Sequence, residues 1–497
     1  MLLNLQKRTL LNALLRGISS LLLFVSVQAT AQKSPCQESL QYLDDQYKSD
    51  WATRLAFDAV YEGLTDMPAG YSYQGSSDNP WRAAGSGKGL HTMMRDMFKT
   101  WCTALPEIEG DSDNALDPIL YFAWFYYKND AGQDFVQGRD PDNQGGELTT
   151  GPTFLSIWNE EYLAYMNSKK STKRVKAWVK DPRIEITDYE ITKAKDYKSW
   201  NAFFARNLKN NIAGYYPGRP VTMPDRDYVI VSPTDCIMNP LVQVVKTKTD
   251  YQRQYIENPL QLNTVLDVKK IPISVNDMLG SVPEHIKKKF VGGSGLTCVL
   301  MPNTYHHFHS PVDGKVLHAE VVNTGSKGTP GTFGYPDFPN WVPISGDVGR
   351  PGTDFSQFQA FQRGVIIIEV LYDNLPRKRH KRHKRFMGIE ALYDNLPHKR
   401  QKKLKGYVAS IPVGLDSVGS VVLNTCDNVE TDGVNCFNVG DQVTKGKTKF
   451  GNFFFGGSLN ILLFSKGMVS PSVQTRMGNQ IGVINNGTSP KSPWSLD

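Results

Sequence analysis

The chain contains 497 residues, of which 40% are hydrophobic and 11% aromatic, so it is long and apolar enough to bury the cores of two folded domains. This composition excludes a disordered or a fibrous protein. The formal net charge of +7 is concentrated in residues 376–405, which hold twelve Lys and Arg residues against two acidic ones. An enzyme acting on nucleic acid is expected to spread its positive charge along a groove, so we expect no nucleic-acid partner.

The first 31 residues are typical of a secretory signal peptide. They contain three basic residues and no acidic one, followed by an apolar stretch at 18–27 and the small residues Ala29-Thr30-Ala31. This pattern predicts cleavage after Ala31 and export to a periplasm or out of the cell. An uncleaved membrane anchor is the alternative, but the apolar stretch is short for a spanning helix.

Residues 32–195 are predicted to form a mainly helical N-terminal domain. The apolar residues of segment 155–180 recur at helical spacing, namely at Leu155, Trp158, Tyr162 and Tyr165. The aromatic-rich stretch 117–127 is compatible with a buried helix or a strand, because periodicity alone does not separate the two. The glycine-rich segment 85–89 lacks the spacing of a phosphate-binding loop, so we interpret it as a turn.

Residues 196–497 are predicted to form a mostly β domain, which makes the fold class α+β. Short β-branched and aromatic runs alternate here with Gly, Pro and Asn. A short helix is predicted at 283–290. The predicted strands lie at 228–231, 297–301, 315–322, 365–369, 407–411, 417–423 and 460–464.

A basic duplicated insert at 370–405 interrupts this domain. The run IEVLYDNLPRKRHKRHKRFMG, which begins at Ile368, is echoed by IEALYDNLPHKRQKKLKG, which begins at Ile389. One tandem copy is too little for a solenoid, so we interpret the insert as a solvated loop. The alternative is an electrostatic tether to an anionic membrane, at about 1 kcal/mol for each basic residue near the surface.

The six cysteines all follow the predicted signal peptide, and an even number in an exported protein permits disulfides. Cys426 and Cys436 flank a turn-like segment and form the best candidate pair. Cys236 and Cys298 either pair with each other or remain buried thiols. No zinc-ligand spacing is present, so we expect no metal site.

Two motifs place polar side chains next to predicted strands. The first, Val231 to Cys236, carries Asp235, which by itself is compatible with an ordinary turn aspartate. The second, YHHFHSPVDG, contains His306, His307 and His309. In an extended conformation His307 and His309 share one face and His306 takes the other, whereas a turn brings His306 and His309 together. Each histidine taken singly is equally compatible with a surface or core position.

A third motif, Gly456-Gly457-Ser458, joins an aromatic run to an apolar run. The glycines allow unusual backbone angles and leave the Gly457 carbonyl open to approach, while the Ser458 hydroxyl lies within reach of that carbonyl. This is the geometry required for a chain to cut itself. A glycine bulge within a buried strand is the structural alternative.

Taken together, these motifs resemble the phosphatidylserine decarboxylase family of pyruvoyl enzymes. The resemblance runs from Tyr197 to about Gly467 and rests on an ordered set of segments: YKSWNAFFARNL, Arg219-Pro220, VSPTD, YHHFHSPVDGKV, IPVGLDSVGSV and VTKGKTKFGNFFFGGSLNILLF. The large N-terminal extension and the VIIIE run ahead of IPVGL are more similar to members that decarboxylate soluble aromatic amino acids.

The resemblance implies self-cleavage between Gly457 and Ser458. Ser458 would attack the Gly457 carbonyl, and the resulting ester would eliminate to leave a β chain ending at Gly457. The α chain would begin with a covalent pyruvoyl group derived from Ser458, and the two chains would stay associated. His309 would activate Ser458, with Asp235 holding His309 in the required tautomer.

The resemblance also implies that His306 protonates the substrate carbon after carbon dioxide leaves. The leading prediction is conversion of phosphatidylserine to phosphatidylethanolamine and CO2, for which the basic insert suits an anionic membrane surface. One alternative is decarboxylation of a free aromatic amino acid such as tryptophan. A second alternative is an exported, non-catalytic relative that binds membranes and keeps an intact chain.

Overall fold

The computed structural model describes the chain in segments between residues 35 and 468. The described residues are 35–64, 81, 97–105, 125, 129–138, 148–210, 215–246, 251–256, 259–268, 271–301, 303–322, 363–372, 403–415, 421–428, 436–454 and 457–468. The predicted signal peptide, segment 85–89, most of stretch 117–127 and most of the basic duplicated insert lie outside them.

The part of the described chain before residue 205 is helical. The α-helices are α1 (Gln37–Ser49), α2 (Trp51–Gly63), α3 (Asp130–Gln137), α4 (Thr150–Met166), α5 (Val175–Lys180) and α6 (Trp200–Phe204), with 3-10 turns at Lys169–Arg174, Pro182–Ile184, Ile186–Asp188 and Ala194–Asp196. Asp50 caps α2 by accepting a hydrogen bond from the Thr53 backbone N–H. Asn129 caps α3, and its side-chain amide also donates to the Val60 carbonyl at 2.7 Å, which ties α3 to α2.

Aromatic stacking on α4 forms the centre of this helical region. The Trp158 ring stacks on Trp101 with centroids 3.7 Å apart and on Tyr162 at 4.8 Å. Leu155, Trp158, Tyr162 and Tyr165 are all buried, as their helical spacing predicts. A disulfide between Cys36 and Cys102 joins the start of α1 to this aromatic cluster.

The chain after residue 237 is dominated by antiparallel strands. They are β1 (Ile237–Pro240), β2 (Val242–Lys246), β3 (Tyr251–Tyr255), β4 (Val265–Val268), β5 (Ile271–Ser274), β6 (Ser294–Leu300), β7 (His307–His309), β8 (Gly314–Val322), β9 (Arg363–Tyr372), β10 (Leu404–Leu415), β11 (Val421–Leu423), β12 (Gln442–Val443), β13 (Lys449–Phe453) and β14 (Gly457–Phe464). Two short helices, α7 (Val275–Met278) and α8 (Glu284–Lys287), precede β6, and a 3-10 turn, Lys288–Phe290, follows α8.

These strands form three sheets. The largest has seven strands in the order β1-β6-β14-β10-β9-β8-β12, a second has the order β11-β13-β7, and a third has the order β3-β2-β4-β5. Strand β14 lies inside the largest sheet, between β6 and β10, and is antiparallel to both. The segment that begins with Gly457 and Ser458 is therefore fixed by strands on both sides.

Both faces of the seven-stranded sheet are covered. On β9, Ile366 and Ile368 belong to a core shared with the N-terminal helices, whereas Val365 and Ile367 belong to a second core with α7 and α8. This alternation explains why β9 is almost continuously apolar, since a strand buried on both faces needs β-branched residues at every position. The helical region and the sheet are therefore joined through one hydrophobic core.

The mixture of helices and antiparallel sheets is that of an α+β protein. Six of the seven predicted strands overlap observed strands, and the predicted helix at 283–290 is confirmed as α8 and the following 3-10 turn. The predicted strand at 228–231 is wrong. The backbone of Val231 makes one hydrogen bond to the Pro311 carbonyl at 3.0 Å, but no neighbouring strand continues the ladder along this segment.

The cysteines follow the sequence prediction in part. Cys426 and Cys436 form a disulfide, as predicted, whereas the Cys36 and Cys102 pair was not predicted. Cys236 and Cys298 are free thiols, and Cys298 is buried. In the segments that the structure describes, no helix is both long enough and apolar enough to cross a membrane.

Candidate active site

Strand pairing and backbone hydrogen bonds connect the three motifs near the ends of β6 and β14. Strand β6 ends at Leu300, opposite Ser458 at the start of β14, and the chain then reaches β7 within a few residues. The Phe453 backbone N–H, at the end of β13, donates to the His306 carbonyl at 2.9 Å. The His309 backbone N–H donates to the Pro233 carbonyl at 2.8 Å, which brings in the segment carrying Asp235. The antiparallel pairing thus gathers motifs that are far apart in sequence.

Ser458 is buried, with 1% of its surface exposed. In the sheet it lies opposite Leu300 on one side and Gly414 on the other. Gly414 has no side chain, so the strand beside Ser458 leaves space on the face that both residues share. A small group derived from Ser458 itself, such as a pyruvoyl, fits this position, because it adds no bulk that the serine did not have.

His306 is buried and uncharged. Its Nδ1 lies 2.9 Å from the Thr304 carbonyl oxygen, and its ring packs on the Phe204 ring with centroids 3.7 Å apart. Burial, reinforced by the nearby positive charge of Arg206, holds the His306 pKa well below its usual value. A carbonyl can only accept a hydrogen bond, so the neutral ring carries its proton on Nδ1 and its lone pair on Nε2.

His307 has a structural environment. Its Nε2 lies 2.8 Å from the Ala205 carbonyl oxygen, and its ring stacks on Tyr305 with centroids 4.9 Å apart. Burial and the charge of Lys449 hold its pKa well below the usual value. His307 therefore fastens β7 to the chain that follows α6.

His309 contacts a tyrosine. Its Nε2 lies 2.9 Å from the Tyr305 hydroxyl, and the Tyr216 ring packs edge-on against its ring. Burial, with a contribution from Lys449, lowers the His309 pKa to about 3, so the ring is neutral at pH 7. Among the described residues, Nδ1 is buried without a hydrogen-bond partner, although the nearby backbone of Lys447 partly opposes the lowering of the His309 pKa. A neutral imidazole in this state is able to accept a proton.

Asp235 is held by an arginine. Both carboxylate oxygens bind Arg219, with Nε at 2.9 and 3.0 Å and Nη2 at 2.8 Å. Arg219 also pairs with Asp188 at 2.7 Å and Glu185 at 2.9 Å. The hydrogen bonds of its carboxylate partners raise the pKa of Arg219 despite the opposing effect of burial, so the guanidinium stays charged.

The sequence analysis predicts that Asp235 orients His309 directly, but the structure shows a different arrangement. Within the described residues, the Asp235 oxygens bind Arg219 and His309 Nε2 binds Tyr305. The physical reason is that a guanidinium offers two parallel donors to one carboxylate, a stronger pairing than a single bond to a neutral imidazole. The role of Asp235 in catalysis stays a prediction.

Sequence reasoning missed Tyr305 and Arg206 as members of the site. Tyr305 is buried, which raises its pKa well above the usual value, so its hydroxyl keeps its proton beside His309. Its position within the YHHFH motif was the available signal. Arg206 donates to the Thr304 carbonyl at 3.2 Å, and nothing local in its sequence predicts that contact. In the described segments, no group of three His, Cys, Asp or Glu side chains is arranged to hold a metal ion.

Comparison with known proteins agrees with the motifs. The family model for phosphatidylserine decarboxylase matches residues 200–334 and 398–483. A phosphatidylserine decarboxylase proenzyme from Clostridium novyi is 27% identical over 206 residues, covering 41% of this chain and 56% of the relative. One from Clostridium kluyveri is 30% identical over 154 residues, covering 31% and 43%. Decarboxylase iboD from Amanita muscaria is 26% identical over 270 residues, covering 54% and 59%.

The sheet region and the histidine motif are therefore similar to those of a class of carboxy-lyases. More particularly, residues 200–334 and 398–483 match the phosphatidylserine decarboxylase family, as the ordered motifs predict. The aligned residues span between 43% and 59% of the length of the three relatives named above. The family match begins at residue 200, so helices α1 to α5 lie outside it.

Proposed function

We propose that this protein is a self-processing, pyruvoyl-dependent decarboxylase that converts phosphatidylserine to phosphatidylethanolamine and CO2. The observation that carries the proposal is the position of Ser458, which is buried at the start of β14. The His306–His309 segment is hydrogen-bonded through its backbone to the end of β13, a few residues before Ser458, and to the segment that carries Asp235. The family match supports the same chemistry. The substrate is taken from the names of the relatives and from the anionic preference of a strongly basic insert.

In the proposed processing step, His309 accepts the proton of the Ser458 hydroxyl as the oxygen attacks the Gly457 carbonyl carbon. The peptide bond shifts to an ester, and the departing nitrogen takes the proton from His309 and becomes the amine of residue 458. Elimination then removes the α proton of residue 458 and breaks its Cβ–O bond, which leaves a carboxylate on Gly457 and a carbon–carbon double bond at residue 458. This enamine shifts to an imine, and water releases the nitrogen as ammonia and supplies the oxygen of the pyruvoyl carbonyl. The neutral state of His309 supports this role, because an imidazolium has no lone pair to accept the proton.

A pyruvoyl group at position 458 would supply a carbonyl that binds the substrate amine and an adjacent carbonyl that withdraws electrons as CO2 leaves. His306 is in the protonation state that proton transfer with the substrate requires. Its Nε2 lone pair can take a proton from the substrate ammonium, which must become a free amine in order to react. The same nitrogen can return that proton to the substrate α carbon, as the motif resemblance implies.

The substrate is tested with purified protein and two sets of assays. Phosphatidylserine in phosphatidylcholine vesicles should yield phosphatidylethanolamine and CO2, measured by lipid mass spectrometry and CO2 capture. The Ser458→Ala variant should yield neither product. Turnover of free tryptophan without turnover of phosphatidylserine would refute the lipid substrate.

The second candidate is decarboxylation of a free aromatic amino acid. The observation behind it is the match to the relative from Amanita muscaria, whose name mentions no phospholipid and which aligns with 54% of this chain. The tryptophan assay decides between the candidates. A non-catalytic membrane-binding relative predicts neither activity, together with an uncut chain.

Export of the protein and peripheral contact with an anionic membrane complete the proposal. They rest on the sequence of the first 31 residues and of the basic duplicated insert. The mature N-terminus of the exported protein should be Gln32. Deletion of residues 376–400 should weaken binding to phosphatidylserine vesicles, and its effect should disappear at high salt.

A further inference from the structure

Arg206 is a buried cation immediately beyond α6. Only 2% of its surface is exposed. Its guanidinium lies 4.3 Å from the Tyr189 ring centroid and donates to backbone carbonyls at Phe203, at 3.3 Å, and Asn303, at 2.7 Å. Among the described residues its hydrogen-bond acceptors are carbonyls and one hydroxyl, not carboxylates. Burial of a charged side chain without a carboxylate partner costs free energy, which indicates that Arg206 has a functional role.

Arg206 and His306 converge on one carbonyl oxygen. The Thr304 carbonyl accepts a hydrogen bond from Arg206 Nη2 at 3.2 Å and from His306 Nδ1 at 2.9 Å. The arginine therefore fixes the acceptor that selects the tautomer of His306. The Phe204 ring, two residues before Arg206, packs against His306 at an interplanar angle of 30° and restricts the orientation of the imidazole. One short segment thus controls both the orientation and the proton position of this ring.

The same segment is anchored to the helical region. The Ser171 hydroxyl oxygen accepts a hydrogen bond from the Trp200 backbone N–H at 2.8 Å, and the Asn201 side chain binds Asn167 at 2.9 Å. These contacts connect α6 to the end of α4 and to the 3-10 turn that follows it. The helical region therefore supports the strand of histidines through α6.

We propose that Arg206 is a positioning residue that keeps His306 as the neutral Nδ1–H tautomer, with the Nε2 lone pair directed to proton transfer. The use of that lone pair on a substrate rests on the proposed function, whereas the tautomer and its cause do not. The field of the guanidinium also disfavours a second proton on His306. The other titratable groups nearby are His307 and Lys449. His307 is the next residue along the chain and is itself neutral, and Lys449 on β13 lowers the pKa values of His307 and His309.

The tautomer is measured by NMR on protein labelled with 15N at histidine, with the His306 signals assigned by comparison with His306→Gln. At pH 7, His306 should show a protonated Nδ1 and an unprotonated Nε2. A protonated Nε2, or a doubly protonated ring, would overturn the proposal. This measurement needs no catalytic activity, so it stands apart from any failure of the decarboxylation assay.

The role of Arg206 is tested by Arg206→Met, with Arg206→Lys as the variant that keeps the charge. The methionine variant should move the titration of His306 upward by about one pH unit, because a neighbouring positive charge has been removed. In an active enzyme, the acid limb of the kcat profile should move by the same amount. The lysine variant should show a smaller shift.

Arg363→Lys is the matched control. Arg363 is also buried and also donates to backbone carbonyls, at Met278 and Asp277, but it lies in the core on the other face of the sheet. This variant should lose stability and leave the His306 titration unchanged. An unchanged His306 titration in Arg206→Met, or an Nδ1–H tautomer as fully populated in that variant as in the wild type, would overturn the positioning role.

Discussion

Two polar regions are built from the sequence motifs, and they differ in charge and exposure. On the strand of histidines, His306, His307 and His309 are at most 5% exposed, and each has a pKa below its usual value. In the cluster around Arg219, the side chains of Arg219 and Asp235 are 28% and 25% exposed and carry full charges. The histidines, which are suited to proton transfer, are thus buried and neutral, whereas the charged side chains around Arg219 connect chain segments near the surface.

The difference bears on how Asp235 acts. Ion pairs that water reaches contribute little stability singly, but Arg219 joins three carboxylates from two segments, Glu185 and Asp188 in one and Asp235 in the other. It therefore fixes the position of the Asp235 segment, whose Pro233 carbonyl accepts the His309 backbone N–H. We therefore expect Asp235 to act on His309 through the backbone of this segment.

Among the three histidines, replacement of His309 is expected to have the largest effect on self-cleavage. His309→Gln removes the proposed base and should slow self-cleavage by about 10²- to 10⁴-fold, the range typical of general base removal. The fraction of cut chain, followed over time by denaturing electrophoresis, measures this effect. His285→Gln, on the exposed face of α8, should cleave at the normal rate. Equal cleavage in both variants would exclude His309 as the base.

The neutral histidines also predict how stability depends on pH. Their folded pKa values lie below the value of about 6.5 expected in the unfolded chain, so the unfolded state binds more protons as the pH falls below 6.5. Stability should therefore be full above pH 6.5 and decline toward the His309 pKa of about 3. Each histidine contributes up to about 1.4 kcal/mol per pH unit.

Urea unfolding at pH 7, 6 and 5 tests this dependence before most carboxylates titrate. The His309→Gln variant should show a shallower decline than the wild type, because one of the three groups is missing. A free energy of unfolding that stays constant from pH 7 to pH 5 would contradict the assignment of neutral, buried histidines.

The charged cluster is tested by comparing Asp235→Asn with Arg219→Met. If Asp235 acts through the position of its segment, both variants should slow self-cleavage by a similar factor, about tenfold. If instead Asp235 contacts His309 in the reacting state, Asp235→Asn should approach the effect of His309→Gln, and Arg219→Met should have much less effect. Time courses of cleavage for the three variants separate these outcomes.

The smallest effect is expected at Tyr305. Tyr305→Phe removes the hydroxyl beside His309 Nε2 and should cost about 1–2 kcal/mol of stability, as expected for a buried hydrogen bond. Self-cleavage should slow only a few-fold, because the base itself remains. Tyr255→Phe, at a side chain that is 51% exposed, is the matched control for stability. Complete loss of cleavage in Tyr305→Phe would instead assign the tyrosine a direct part in the reaction.

The sequence was sufficient for the features that depend on local pattern. Helical spacing located the buried face of α4, and continuous apolar runs located β9 and β14. The pairing of Cys426 with Cys436 followed from a ten-residue separation across a turn. The order of the motifs also identified the family, because several moderately specific segments together are far more specific than any one.

Contacts between distant segments were not accessible in this way. Cys36 and Cys102 are separated by 66 residues, and no local signal links them. Strands β1 to β5 are only four or five residues long, so their sequence pattern does not differ clearly from that of loops. The attachment of Asp235 to Arg219 and of Arg206 to the Thr304 carbonyl depends on how loops are placed by the sheet, which side-chain spacing does not encode.

The central claim is that the bond between Gly457 and Ser458 breaks and that Ser458 becomes the cofactor. Denaturing mass spectrometry of the purified full-length protein tests it directly. The account predicts a C-terminal fragment, residues 458–497, whose first residue is a pyruvoyl group and therefore resists N-terminal sequencing, together with a larger fragment ending at Gly457. A single uncut chain in the wild type, or an unchanged pair of fragments in Ser458→Ala, would contradict it.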